Sequence, residues 1–136
     1  MTRDEVIAYI KEVKFGYLAT VGADNAPRVR PVGIDTVYGD ALYFFTFSTT
    51  RKVAEIQDNP QVEIVWAKIG ENSQVRISGK LVVEKDEAVQ QRFRADNPMV
   101  ANLLPPEAQH LFLLYRLEPS KVEMAKGLVP YTEVVW

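Results

Sequence analysis

The 136-residue sequence contains no cysteine and only one histidine, His110. Without cysteine, disulfides, thiolate chemistry and cysteine-ligated zinc or iron–sulfur sites are excluded. No apolar run approaches the roughly 18 residues of a membrane span, and the charged, amphipathic N-terminus does not have the pattern of a signal peptide. We therefore expect a cytoplasmic protein with no membrane partner.

A strong charge of either sign is also missing, since the formal net charge is −2 and the pI is about 5.5. This balance gives no overall attraction toward nucleic acid, although it is compatible with a local basic pocket. Hydrophobic residues make up 47% of the chain. A chain of this length and composition is expected to form a single domain, residues 1–136, with a substantial core.

The stretch from Tyr43 to Lys52 predicts a strand that leads into the first turn of a helix. Hydroxyl residues typical of helix N-caps end the strand, and Arg51 and Lys52 follow. The helix N-terminus has positive potential and unpaired N–H groups, so cations are unfavourable there. An anion held by these groups and by the hydroxyls of Thr46 and Thr50 would resolve the conflict, and phosphate is common at such turns. The alternative is that both cations point into water, at a cost of about 0.3–1 kcal/mol each.

Successive hairpins dominate the remaining pattern, with a helix at the front and two short helices between strands. We expect a mainly β protein, a six- to seven-stranded antiparallel barrel with peripheral helices. Residues 28–38 are predicted to form one strand paired with the strand 41–47. Residues 111–117 and 121–125 are predicted to form the final hairpin.

Arg28 and Arg30 alternate with Pro31 and Gly33 along the predicted second strand. Proline removes a ladder donor and glycine leaves a bare surface, which indicates an edge, a bulge, or close approach by a ligand or another backbone. The two arginines are therefore candidates for ligand binding. Alternatively, they are solvent-facing edge charges that discourage aggregation.

Six short motifs, in this order, resemble those of the flavin-binding split-barrel superfamily, whose best-known member is pyridoxamine 5′-phosphate oxidase. The resemblance runs from about Phe15 to Ala125. The motifs are Leu18–Val21, Pro27–Val32, Leu42–Thr46, Thr50–Lys52, Asn59–Val62 and Gln74–Gly79. The resemblance implies a Greek-key-like split barrel that binds flavin mononucleotide (FMN) at a homodimer interface.

The same resemblance implies a set of FMN contacts. Arginine and lysine side chains, with two threonine hydroxyls, would bind the phosphate. Backbone from two strands would flank the isoalloxazine ring, and one glutamine would hydrogen-bond the flavin from the same or the partner subunit. The implied residues are Arg30, Arg51, Lys52, Thr46 and Thr50 for the phosphate, Pro31, Val32 and Phe45 for the ring, and Gln74. No catalytic side chain and no metal ligand are indicated.

The implied activity is electron transfer from a nicotinamide donor to a small acceptor, with the chemistry residing in the flavin. The regions that hold the substrate phosphate in the oxidase proper differ here, for example in Val89–Arg94, so we expect another substrate. The chain more closely resembles the short general stress and nitroimidazole-resistance proteins.

Three alternatives stay open at this stage. The protein could be a flavin sensor or store without turnover. The same groove could hold a deazaflavin or haem, although His110 lies outside the matching motifs. A small barrel that binds single-stranded nucleic acid through Arg28, Arg30 and Arg76 is a further alternative, against which the acidic pI argues.

Overall fold

The computed structural model describes residues 1–136, and its main feature is one eight-stranded antiparallel sheet. Four helices and two 3₁₀ turns lie around it. The helices are α1 (Arg3–Val13), α2 (Arg51–Asp58), α3 (Glu87–Asp96) and α4 (Met99–Leu103), and the 3₁₀ turns are Ile69–Glu71 and Pro106–Leu111. The strands are β1 (Phe15–Val21), β2 (Pro27–Gly33), β3 (Thr36–Tyr38), β4 (Ala41–Phe47), β5 (Gln61–Lys68), β6 (Ser73–Val83), β7 (Phe112–Lys126) and β8 (Thr132–Glu133). None of the helices combines the length and apolar character needed to cross a bilayer.

The strands follow the order β2-β1-β5-β6-β7-β4-β3, and β8 pairs with β7. The expected mainly β, antiparallel class with peripheral helices is confirmed. The strand count exceeds the expected six to seven because the two-residue β8 adds to the sheet. β2 and β3 are consecutive in the chain yet form opposite edges of the sheet, so the chain itself crosses between the two edges.

The expected single strand over residues 28–38 is wrong. β2 pairs only with β1, where Arg30 lies opposite Leu18, and the separate strand β3 pairs with β4. The two strands part at Ile34, which is fully buried and whose N–H donates to the Lys14 carbonyl oxygen at 3.0 Å. Burial of Ile34 therefore draws the chain out of one ladder before β3 joins the other edge.

The expected final hairpin is also wrong, because β7 continues through Pro119 as one fifteen-residue strand. β7 pairs with β6 from Tyr115 to Lys126, and the register shifts between Ser78 and Gly79. A Cβ on Gly79 would lie 2.2 Å from the Glu118 carbonyl oxygen. Because Gly79 has no side chain, the strand can form a bulge here. Pro119, which suggested a turn in the sequence, lies within this bulge.

The two faces of the sheet have different surroundings. Leu18, Ile64 and Ile77 form a row across β1, β5 and β6, and all three are fully buried in the main core. Burying each such side chain contributes about 1.5–3 kcal/mol. The outer face of the same strands exposes Phe15 and Tyr17, at 63% and 52%. A smaller apolar cluster covers the other face of β4 and consists of Tyr43, Phe93, Val100, Leu104 and Leu114.

Candidate functional site

The first turn of α2 begins as the sequence predicted, with Thr50 as an N-cap in extended conformation. The Thr50 hydroxyl makes no cap hydrogen bond. Instead it donates to the Phe47 carbonyl oxygen at 3.0 Å and lies 3.4 Å from the Thr46 hydroxyl. No acidic residue occupies the first turn. The positive potential of the helix N-terminus is therefore neither capped by a side chain nor offset by a nearby carboxylate in that turn.

A buried carboxylate, Glu55 on the next turn of α2, gathers the basic residues. Arg30 donates to Glu55 Oε1 at 2.6 Å, and the Nε atoms of Arg28 and Arg51 both lie 3.9 Å from Glu55 Oε2. Thr20 also donates to Oε1, at 3.0 Å. Only 8% of the Glu55 side chain is exposed. A carboxylate this buried needs such partners, and in return it fixes where the guanidinium groups lie.

Arg30 is the most constrained of these cations. Besides Glu55, its guanidinium donates to the Thr20 hydroxyl at 2.7 Å and to the Leu18 carbonyl oxygen at 3.2 Å. Arg28 donates to Asp24 at 3.1 Å. The Ala26 N–H, which donates to the same carboxylate, and the Arg28 contact lower the pKa of Asp24. Arg28 is thus the cation whose charge is already matched by a carboxylate of its own.

Lys52 forms no ion pair. Burial and the nearby charge of Arg30 lower the pKa of its ammonium group. Counting Arg28, Arg30, Arg51 and Lys52 against Asp24 and Glu55 leaves an excess of two positive charges. A phosphate monoester carries a charge of about −1.5 to −2 near pH 7, so its charge matches this excess.

The four basic residues together with Glu55, Thr46 and Thr50 are called the basic cluster below. Of the residues predicted for the phosphate, all five belong to it: Arg30, Arg51, Lys52, Thr46 and Thr50. The cluster has the charge, the hydroxyl groups and the free helix end that a phosphate requires.

The residues predicted to flank a flat ring lie elsewhere on the same strands. The side chain of Val32 is buried in the main core, so only its backbone is available, whereas Pro31 faces outward opposite Tyr17. Phe45 stacks on Phe112 with ring centroids 5.9 Å apart. It also lines a cavity of about 240 Å³.

This cavity, called the aromatic cavity, opens between the outer face of β1 and β2 and the small apolar cluster. Aromatic rings and polar groups share its wall. Its lining comprises Lys14, Phe15, Gly33, Asp35, Thr36, Tyr43, Phe45, Phe93, Asn97, Met99 and Leu103. Gly33 contributes bare backbone there, and Asn97 and Thr36 hydrogen-bond each other at 3.1 Å. A planar ring could stack against such a wall.

Gln74 also lies apart from the basic cluster. It is on β6 next to the buried Val75, so it faces the outer side of the sheet. Arg30 instead shares the core-facing row of Leu18. Within one chain, the sheet therefore separates the Gln74 side chain from the basic cluster.

Two residues that fix the basic cluster were not identified from the sequence: Glu55, which belongs to it, and Thr20, which hydrogen-bonds Glu55 and Arg30. A signal for Glu55 is present, since it follows Arg51 by four residues on a helix, the spacing at which opposite charges meet. Its burial depends on α2 packing against β1, which the local pattern does not contain. His110 is exposed within the second 3₁₀ turn.

Of the aromatic residues near the C-terminus, Trp136 packs within the chain. Its indole N–H donates to the Asp40 carbonyl oxygen at 2.8 Å, and the Arg3 guanidinium lies 4.7 Å from its ring centroid. Trp136 thus joins the end of the chain to α1 and to the turn before β4.

The sequence is similar to that of several known proteins that share one description. A family model described as pyridoxamine 5′-phosphate oxidase matches residues 2–126. A pyridoxine/pyridoxamine 5′-phosphate oxidase from Psychrobacter cryohalolentis is 30% identical over 128 residues, covering 88% of this chain and 58% of the relative. The chain thus spans little more than half the length of that curated relative.

Solved structures share the fold. A NimC/NimA family protein from Clostridium acetobutylicum superposes with a TM-score of 0.80 at 20% identity, covering 96% of this chain and 89% of the other. A pyridoxamine 5′-phosphate oxidase-related, FMN-binding protein from Nostoc punctiforme has a TM-score of 0.71 at 21% identity, covering 96% and 88%. The architecture is therefore that of the split-barrel proteins to which the sequence motifs are similar.

Proposed function

The chain belongs to the pyridoxamine 5′-phosphate oxidase family, and from this premise we propose that it is an FMN-dependent oxidoreductase. In this proposal it passes electrons from a nicotinamide donor to a small acceptor other than pyridoxamine phosphate. The observation that carries the proposal is the basic cluster, in which three arginines meet one buried carboxylate while Lys52 has no ion-pair partner.

The basic cluster would hold the FMN phosphate. Arg30 is already oriented by Glu55 and Thr20, so little side-chain entropy is lost when it receives an anion. Arg51 is 75% exposed and free to turn toward the phosphate, and Lys52 would gain the opposite charge that it lacks. The Thr46 and Thr50 hydroxyls and the first N–H groups of α2 would supply further donors.

The isoalloxazine ring would lie against the outer face, where Pro31 and Gly33 offer backbone and the aromatic cavity offers ring surfaces. Bound flavin supplies reversible hydride and electron transfer, while the protein orients it and excludes water. The absence of a long side chain at Gly33 leaves space for a flat ring.

We also propose that two copies of the chain form the complete site. Outer-face apolar side chains at Phe15, Tyr17 and Val29 are 63%, 52% and 70% exposed, a patch suited to association. Gln74 lies across the sheet from the basic cluster of its own chain, on the exposed outer face. In this proposal it therefore contacts the flavin that is held by the basic cluster of the other copy. A symmetric dimer would then hold two equivalent sites.

Titration of the purified protein with FMN, followed by anaerobic addition of a reduced nicotinamide nucleotide, tests this proposal. The protein should retain FMN through desalting, and the donor should bleach the flavin absorption. Replacing both Arg51 and Lys52 by alanine should weaken FMN binding at least tenfold for each lost contact, since a charge-assisted hydrogen bond contributes about 1.5–3 kcal/mol.

A matched control replaces Lys80 and Lys85, two exposed lysines without ion pairs, by alanine and should leave FMN affinity unchanged. Wild-type affinity in the Arg51→Ala, Lys52→Ala protein would contradict the phosphate assignment. If the protein retains FMN but no nicotinamide donor reduces it, the protein binds flavin without the proposed electron transfer. Failure to retain FMN, with retention of a deazaflavin or haem, would assign a different cofactor.

A further inference from the structure

The side-chain amide of Gln74 is held in one orientation by two neighbouring donors. Its carbonyl oxygen, Oε1, accepts hydrogen bonds from the Arg76 guanidinium at 3.1 Å and from the Tyr131 hydroxyl at 3.4 Å. Both donors approach the same oxygen. The amide nitrogen makes no hydrogen bond within the chain, so its two N–H groups are left to be presented outward.

Arg76 is itself fixed in place. Its Nε donates to Glu63 Oε1 across the β5–β6 pair at 2.8 Å, and this carboxylate raises the pKa of Arg76. The Tyr131 ring packs over the guanidinium, 5.5 Å from ring centroid to Cζ, and the Tyr131 hydroxyl lies 3.4 Å from Arg76 Nη1. Glu63, Arg76 and Tyr131 thus form a connected network that ends at Gln74.

We propose that Arg76 and Tyr131 are positioning residues that orient Gln74 as a hydrogen-bond donor toward an acceptor atom of the flavin bound by the partner copy. This inference rests on the proposed function. A glutamine amide can present either oxygen or nitrogen to a ligand, and the network selects nitrogen. Ring oxygens and unprotonated ring nitrogens of an oxidised flavin are acceptors, so the presented group has the matching polarity.

Tyr131 belongs to a segment that lies beyond the residues matched by the family model. It follows Lys126, where the family match ends, and lies between two exposed residues, Leu128 and Val135, in the chain after β7. The short strand β8 next to it pairs with β7 at Met124, and the Tyr131 hydroxyl lies within 3.4 Å of the outer-face side chains of Gln74 and Arg76. The C-terminal segment of this chain would therefore tune the flavin through Gln74 without touching it.

The test measures FMN dissociation constants and the visible absorption maximum of bound FMN for single and combined variants. Tyr131→Phe removes only the hydroxyl and should weaken FMN binding about two- to tenfold and shift the absorption maximum, because the amide is freer to rotate. Gln74→Ala should weaken binding by at least as much. In the Gln74→Ala background, adding Tyr131→Phe should change neither quantity further.

Tyr115→Phe is the matched control, because Tyr115 is 2% exposed on β7, its hydroxyl makes no hydrogen bond within the chain, and it lies away from Gln74. It should leave the spectrum of bound FMN unchanged. An unaltered dissociation constant and spectrum in Tyr131→Phe, with FMN still bound by the wild type, would overturn the inference. Additive effects of Tyr131→Phe and Gln74→Ala would overturn it too, since Tyr131 would then act without Gln74. If the wild type binds no FMN, the proposed function itself fails.

Discussion

The charged form of the Lys52 side chain is destabilised in the ligand-free protein, and the same features suit this side chain to bind an anion. Burial and the charge of Arg30 both lower the pKa of its ammonium group, and no carboxylate pairs with it. Lys52→Met keeps most of the side-chain length and removes the charge. We expect this variant to be more stable without ligand, by about 0.5 kcal/mol or more, and to bind FMN about tenfold more weakly.

Thermal unfolding over a range of pH, with FMN titration at neutral pH, measures both effects. Because the folded-state pKa of Lys52 lies below the 10.5 of an ordinary lysine, wild-type stability rises as the pH increases through this lowered value toward 10.5. The stability advantage of Lys52→Met should therefore shrink over that range. Lys80→Met, at an exposed site, serves as the control. If the Lys52→Met protein is less stable than the wild type at neutral pH, the charge of Lys52 does not destabilise the folded protein.

The cations of the candidate site could be found from the sequence because each stands in a conspicuous local context. Arg51 and Lys52 occupy a helix start where acidic residues are usual, and Arg30 alternates with a proline and a glycine. Glu55 has no such context. Its role arises only when α2 packs on β1 and brings the carboxylate to Thr20 and Arg30. Local sequence patterns contain charges but not the long-range packing that pairs them.

The bulge between β6 and β7 depends on one glycine. Gly79→Ala would place a methyl group 2.2 Å from the Glu118 carbonyl oxygen and 3.1 Å from Pro119 Cα, both backbone atoms that cannot move independently of the strand. We expect a loss of about 1–3 kcal/mol in unfolding free energy, the usual cost of overpacking. Urea denaturation with a common m-value measures it.

Gly70→Ala is the matched control for this change. Gly70 lies in an exposed 3₁₀ turn, its new Cβ would meet nothing within 4 Å, and its φ is not positive. Its effect should stay within about 0.5 kcal/mol. Equal effects of the two substitutions would mean that β7 relaxes around position 79 without cost, and the bulge would then not require glycine.

The errors in strand assignment have the same origin as this bulge. Pro119 in β7 suggested a turn, yet the missing side chain of Gly79, forty residues earlier, lets the strand continue. Pro31 and Gly33 drew attention to the second strand, but the break at Ile34 is caused by burial against the core. Elements bounded by local signals, such as the helix at the front of the chain, which begins with a capping box of Thr2 and Glu5, were predicted correctly. Those shaped by a distant strand were not.

The outer face of the sheet carries part of the proposed site and also the exposed apolar residues through which two copies would associate. Phe15 lines the aromatic cavity and is also one of the exposed apolar residues of that face. Gln74, Arg76 and Tyr131 lie on the same face. Association through this face would therefore bury apolar surface and bring Gln74 of one copy toward the ring of the flavin held by the other.

This arrangement predicts that two defective variants restore each other. One variant carries Gln74→Ala and the other carries Arg51→Ala with Lys52→Ala. In a mixed dimer, one site receives all the substitutions and the other receives none, because the basic cluster and Gln74 of a site come from different copies. After subunit exchange in an equal mixture, half the dimers are mixed, so about one quarter of all sites should be intact.

FMN binding with wild-type affinity is measured in the mixture and in each variant alone, at a flavin concentration where neither variant binds appreciably. Two preparations of the same variant, mixed in the same way, control for the exchange procedure. Recovery in the mixture would require that each site is built from two copies, since exchange alone creates no new side chain. No recovery, with exchange verified by differently tagged copies, would mean that one chain supplies both the basic cluster and Gln74. In that case the sheet does not separate the two groups from a common ligand, and the argument from their opposite faces fails.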